Sequence, residues 1–144
     1  MDDKEKWMRL ALLEAQKAYE DDEVPVGAVI VQNGELVAVG RNRREKSKNA
    51  LWHAETDAIN NACTKLNGWR LWNCELYVTL EPCPMCAGGL NWAQVGRIVY
   101  GALDPRRGYS LYSPSLLHPK TEISAGVLAD ECGTLMTDFF KSKR

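Results

Sequence analysis

Two short stretches of this chain carry the residue types that do chemistry. His53-Ala54-Glu55 stands at the expected start of a helix, and Pro82-Cys83-Pro84-Met85-Cys86 stands where a strand turns into a helix. The C-x-x-C spacing lets Cys83 and Cys86 face one metal ion from a helix N-terminus, where free backbone N–H groups and the helix dipole favour thiolate over thiol. His53 supplies a third ligand from its own helix start. Zinc suits this set, being tetrahedral and at ease with both sulfur and imidazole. A structural zinc takes four protein ligands and a catalytic one takes three plus water. No further His or Cys stands at ligand spacing: Cys63, Cys74 and Cys132 read as small buried apolar side chains and His118 as a loop histidine. The fourth position then belongs to a water whose pKa falls from about 15.7 toward about 7. Glu55, two residues past His53, is placed to reach that water as general acid and base.

The elements that must position these residues can be read from periodicity. Residues 3–20 predict a helix, with Trp7, Met8, Ala11, Leu12, Ala15, Ala18 and Tyr19 on one face. Val26 to Val31 and Leu36 to Val39 predict two strands joined at Asn33-Gly34, a turn pair suited to positive φ at both positions. Residues 41–48 read as a polar, basic loop, and 52–65 as a second helix striped by Ala54, Ala58, Ile59, Ala62 and Cys63. Glu75 to Leu80 is a strand stopped by Pro82, residues 84–94 a helix, and Arg97 to Ala102 another strand. Residues 104–119 read as irregular, with a short strand near 122–124 and a last helix spaced by Val127, Leu128, Cys132, Leu135, Met136, Phe139 and Phe140. Strands alternating with helices predict a layered α/β domain with helices on both faces of one sheet.

Composition narrows the functional classes. The 144 residues are 45% hydrophobic and 26% charged with a net charge of −1, the balance of a single globular domain spanning 1–144. A strongly basic nucleic-acid module is not indicated, although Arg41, Arg43, Arg44, Lys46 and Lys48, with Arg106 and Arg107, read equally as a phosphate-tracking face or a solvated loop. No apolar run approaches the roughly 18 residues that span a bilayer, so no membrane partner is expected. Five cysteines without an export signal argue against a disulfide framework and for a cytoplasmic protein.

The H-x-E and P-C-x-x-C segments together resemble the signature of the cytidine/deoxycytidylate deaminase superfamily. EVPVGAVIV, HAE, LYVTLEPCPMCAG, RIVYGALD and GVLADEC are most similar to its bacterial tRNA-adenosine-deaminating branch. The resemblance implies an α/β, three-layer α-β-α domain with a central five-stranded mixed sheet, one zinc ion per chain, and a homodimer. It implies His53, Cys83 and Cys86 as ligands and Glu55 as proton shuttle. Asn42 would hydrogen-bond the target base, Val24 and Leu80 would lie near it, and Ala102 and Asp104 would border the adjoining nucleotide. The implied activity is zinc-dependent hydrolytic deamination, foremost adenosine to inosine at the wobble position of a tRNA anticodon loop. Thr56-Asp57, where that branch carries an aliphatic residue first, and the compact 104–119 segment would equally suit a deaminase of a free nucleobase or nucleoside such as guanine or cytosine. A zinc-stabilised binding module or inactive partner subunit is the non-enzymatic alternative, which the presence of Glu55 disfavours. Trp52, Trp69, Trp72 and Trp92 read as core or dimer contacts, and Leu90, Trp92 and Ala93 as a dimer surface.

Overall fold

The computed structural model describes residues 3–143. Its elements run α1 (Asp3–Glu20), β1 (Gly27–Gln32), β2 (Glu35–Arg41), α2 (Arg44–Ser47), α3 (Ala54–Leu66), β3 (Cys74–Leu80), α4 (Pro84–Ala93), β4 (Arg97–Ala102), β5 (Glu122–Ala125) and α5 (Ala129–Ser142). The strands form one sheet in the order β2-β1-β3-β4-β5. β1 pairs antiparallel with β2 and β3, whereas β3–β4 and β4–β5 are parallel, so the sheet is mixed. Asn33 and Gly34 both have positive φ, as the turn between β1 and β2 requires.

Alternation along the strands divides the core in two. Ala28 and Ile30 of β1, with Leu76, Val78 and Ile98, pack against Ala54, Ala58 and Ala62 of α3 and Ala87 and Leu90 of α4. Val29 and Val31, with Tyr77 and Val99, turn the other way onto Trp7, Met8 and Ala11 of α1 and Cys132 of α5. The result is three layers: α1 and α5, the sheet, then α3 and α4. Gly40 is required where α3 crosses β2, because a Cβ there would stand 2.4 Å from Ala54 O. This close approach brings the start of α3 against the end of β2.

Several expectations are corrected. Residues 44–47, read as loop, form the short helix α2, because buried Glu23 accepts the N–H groups of Glu45 and Lys46 at 3.0 and 2.8 Å. α3 starts at Ala54 rather than at 52, since His53 is extended and serves as the N-cap residue. The 104–119 segment contains two single 3₁₀ turns, Tyr109–Leu111 and Pro114–Leu116. The four tryptophans Trp52, Trp69, Trp72 and Trp92 lie outside the core of the chain, with Trp92 81% exposed. Leu90 and Ala93 face the sheet, leaving Trp92 as the member of that trio on the surface. Cys74 and Cys132 are buried as expected, while Cys63 is half-buried. Among the described residues no helix is long and apolar enough to cross a membrane.

Candidate functional site

α3 and α4 both begin at the same end of the sheet, and their first residues are the ones singled out by spacing. His53 precedes α3, where Thr56 Oγ1 accepts the His53 N–H at 2.9 Å and donates to Leu51 O at 2.7 Å. Thr56 therefore fixes the backbone that carries the imidazole. Cys83 precedes α4, Pro84 occupies its first turn without wasting a donor, and Cys86 sits one turn in. The ligand atoms of His53, Cys83 and Cys86 all lie within 4.8 Å of one another.

The separations discriminate between a chance cluster and a metal site. With Zn–S near 2.3 Å and Zn–N near 2.0–2.1 Å, a tetrahedral angle sets the N···S distance at about 3.6 Å. His53 Nδ1 stands 3.6 Å from Cys83 Sγ and 3.5 Å from Cys86 Sγ. The donor set thus fits zinc in distance as well as in chemistry. The two thiols also differ: a hydrogen bond from Cys86, then one from His53, holds Cys83 down at about 4, while Cys86 is pushed up by its bond to Cys83 and by burial. The hydrogen bond to Cys83 raises His53. Glu55 is 4% exposed, and burial, with the Cys83 charge as a lesser cause, pushes its carboxyl up to about 7.

A cleft of about 1070 Å³ opens over these residues. Its walls include every residue predicted for the substrate side: Val24, Asn42, Leu80, Ala102 and Asp104. Asn42 is buried, and its amide is used on both sides, donating to Val24 O at 3.2 Å and accepting Arg44 N at 3.3 Å. Asp104 Oδ1 accepts the N–H groups of Arg106 and Arg107, both at 3.0 Å. His118 is not in the walls; its Nδ1 accepts Lys120 N and so closes a local turn.

The charged rim resolves into two groups. Arg41 pairs with Glu14 and Asp21, Arg43 with Asp57, and Lys46 with Asp21. Arg44, Arg106 and Arg107 line the cleft and make no ion pair among the described residues. Sequence reasoning missed the wall that α5 adds through Met136 and Phe140. It also missed Glu23, Asp57 and Glu81, buried carboxylates that hold the rim from behind. Glu81 spends one oxygen on Asp104 N at 3.1 Å and the other on Ser110 N at 3.0 Å. The available signal was a carboxylate in an apolar setting, as in Thr79-Leu80-Glu81-Pro82, which is costly to bury without partners.

Comparison with known proteins follows this geometry. Residues 1–102 match the model of the cytidine and deoxycytidylate deaminase zinc-binding region. The chain belongs to that family. It is accordingly a zinc-dependent deaminase, and zinc is its cofactor. The tRNA-specific adenosine deaminase of Bacillus subtilis (strain 168) is 44% identical to this deaminase across 97% of its chain and 90% of the relative. A solved structure from studies of A-to-I editing by tRNA:A34 deaminases at the wobble position superposes with a TM-score of 0.84 at 38% identity, covering 90% of this chain and 98% of that one. A guanine deaminase from Bacillus subtilis, 37% identical, covers 69% of this chain and 64% of that one with a TM-score of 0.66. The Thr56-Asp57 and 104–119 departures therefore coexist with end-to-end similarity to tRNA-acting relatives.

Proposed function

We propose that this deaminase converts adenosine to inosine in a tRNA anticodon loop, at the wobble position, with one zinc ion held by His53 Nδ1, Cys83 Sγ and Cys86 Sγ. The observation that carries the reading is the pair of N···S separations, 3.6 and 3.5 Å, beside a buried carboxylate that is not part of the donor set. When bound, zinc supplies a Lewis acid that makes water a nucleophile near neutral pH. Glu55 takes a proton from the attacking water and delivers it to N1 of adenine as C6 is attacked, then takes the remaining proton from the new C6 hydroxyl and delivers it to the amino group, which leaves as ammonia while C6 becomes a carbonyl. Its burial keeps bulk water from competing for those protons. Asn42 hydrogen-bonds the base, with Val24 and Leu80 against the ring, and Ala102 and Asp104 border the neighbouring nucleotide.

The substrate class is supported by the end-to-end similarity to the tRNA-acting relatives and by Arg44, Arg106 and Arg107, which make no ion pair among the described residues, around a cleft larger than one base requires. These side chains are placed to track phosphates, which gives affinity without base readout. Such a substrate puts the protein in the cytoplasm. The exposed Trp92 on α4 and Leu51 and Trp52 before α3 supply apolar surface for a homodimer. The deciding experiment is ammonia release from a panel of an anticodon stem-loop with adenosine at the wobble position, the same loop with guanosine or cytidine there, and free adenosine, guanine and cytosine. Turnover of the adenosine loop above the others is expected. Turnover of guanine or cytosine with none on the RNA would overturn the reading.

A further inference from the structure

We infer that Asp57 is the positioning residue that fixes Asn42 relative to His53, an inference that rests on the roles proposed above for those two side chains. Asp57 lies in the first turn of α3, is 4% exposed, and is not among the residues lining the cleft. Its carboxylate faces the two segments that carry the site. Oδ2 accepts the backbone N–H of Arg41 at 3.0 Å and Nε of Arg43 at 3.1 Å. Oδ1 accepts Nε1 of Trp52 at 2.8 Å. Arg41 and Arg43 are the chain neighbours of Asn42, and Trp52 is the chain neighbour of His53. The Arg43 N–H also donates to Trp52 O at 3.0 Å, so one carboxylate and one backbone bond stitch segment 41–43 to segment 52–53.

The need for such a clamp follows from where Asn42 takes its support. Its amide is held by Val24 O, in the loop before β1, and by Arg44 N, at the start of α2, and by nothing on α3 among the described hydrogen bonds. The distance from Asn42 to His53 is then set by the backbone of 41–43, and Asp57 is the side chain that ties that backbone to the helix bearing His53 and Glu55. The Arg43 guanidinium compensates the buried charge, which would otherwise be costly. Because Asn42 holds the base in the ground and transition states alike, its displacement is felt in KM with kcat nearly unchanged.

The test is Asp57→Asn in the full zinc-loaded chain. The amide keeps the volume, but its NH₂ must face either the Arg41 and Arg43 donors or the Trp52 indole N–H. KM for the adenosine stem-loop should rise about tenfold, the size of one lost hydrogen bond to the base, with kcat within about threefold and zinc still one per chain. An unchanged KM overturns the inference, and so does a fall in kcat that tracks loss of zinc, since the carboxylate would then support only the metal site. If Asp57→Asn does not fold, Trp52→Phe, which deletes one donor to Oδ1 from a partly exposed side chain, carries the test: KM up about threefold at full zinc supports it, and an unchanged KM overturns it. The parent chain runs alongside. Activity there beside an unaltered Asp57→Asn sinks this inference alone, whereas a zinc-loaded parent that releases no ammonia from the stem-loop sinks the functional reading and this inference together.

Discussion

Glu55 and His53 stand either side of a helix boundary, and that boundary separates what they do. His53 is extended and turns its Nδ1 toward the two sulfurs, while Glu55 is inside the helix and buried beneath the cleft. Glu55→Gln is therefore expected to leave zinc at one per chain by metal analysis while ammonia release falls by about 10²–10⁴, the usual worth of a positioned acid–base group; retention of turnover would remove Glu55 from the chemistry. The roles proposed for these two residues, and for Cys83 and Cys86, were legible in the sequence because metal ligation and proton transfer demand particular side chains at particular spacings. Asp57 was not, since a carboxylate in a helix reads as solvated until its donors are seen, and all three of those donors lie on segments before the helix. The bond that Trp52 makes was hidden for a related reason: its indole is partly exposed yet hydrogen-bonded to that buried acid.

At the scale of elements, helices α1, α3, α4 and α5 and the strands follow their hydrophobic periods, so periodicity sufficed for them. What it could not see were the pieces built by capping. α2 has no buried residue and no apolar stripe; it exists because Glu23 satisfies its first-turn donors from a neighbouring loop. The 104–110 loop likewise owes its shape to Glu81, which follows β3 at the same end of the sheet where the loop leaves β4, together with Tyr109 N donating to Pro82 O at 2.9 Å. Glu81→Gln leaves one acceptor for two donors, and an unpaired buried N–H costs about 1–3 kcal/mol. Hydrogen exchange at Asp104 or Ser110 should accelerate by about tenfold or more while zinc content holds; unchanged protection at both amides would show that the loop keeps its shape without this carboxylate.

In the whole molecule the proposed metal donors join the N-termini of two helices of one layer at the end of the central strand β3. Zinc binding is thereby linked to folding, and a ligand held about a thousandfold above its dissociation constant adds about 4 kcal/mol. Stripping zinc with a chelator should lower the melting temperature by roughly 10–15 °C for a domain of this size and restoring zinc should reverse it; a melting curve indifferent to the chelator would mean that the folded chain holds no zinc in preference to the unfolded one. The opposite layer contributes differently. α5 is strapped to α1 through the Arg9–Glu131 ion pair and the edge-on Tyr19–Phe139 contact, and to the turn after α1 through Lys143 and Asp22. From that anchorage it lends Met136 and Phe140 to the mouth of the cleft, well outside the stretch 1–102 that holds the ion and the acid. The proposed base contacts Val24, Asn42, Leu80 and Ala102 share the stretch 1–102 with the proposed donors and acid, and α5 adds a further part of the rim. Exchanging Met136 or Phe140 therefore reshapes the entrance from far along the chain and leaves the spacing of His53, Cys83 and Cys86 as it stands.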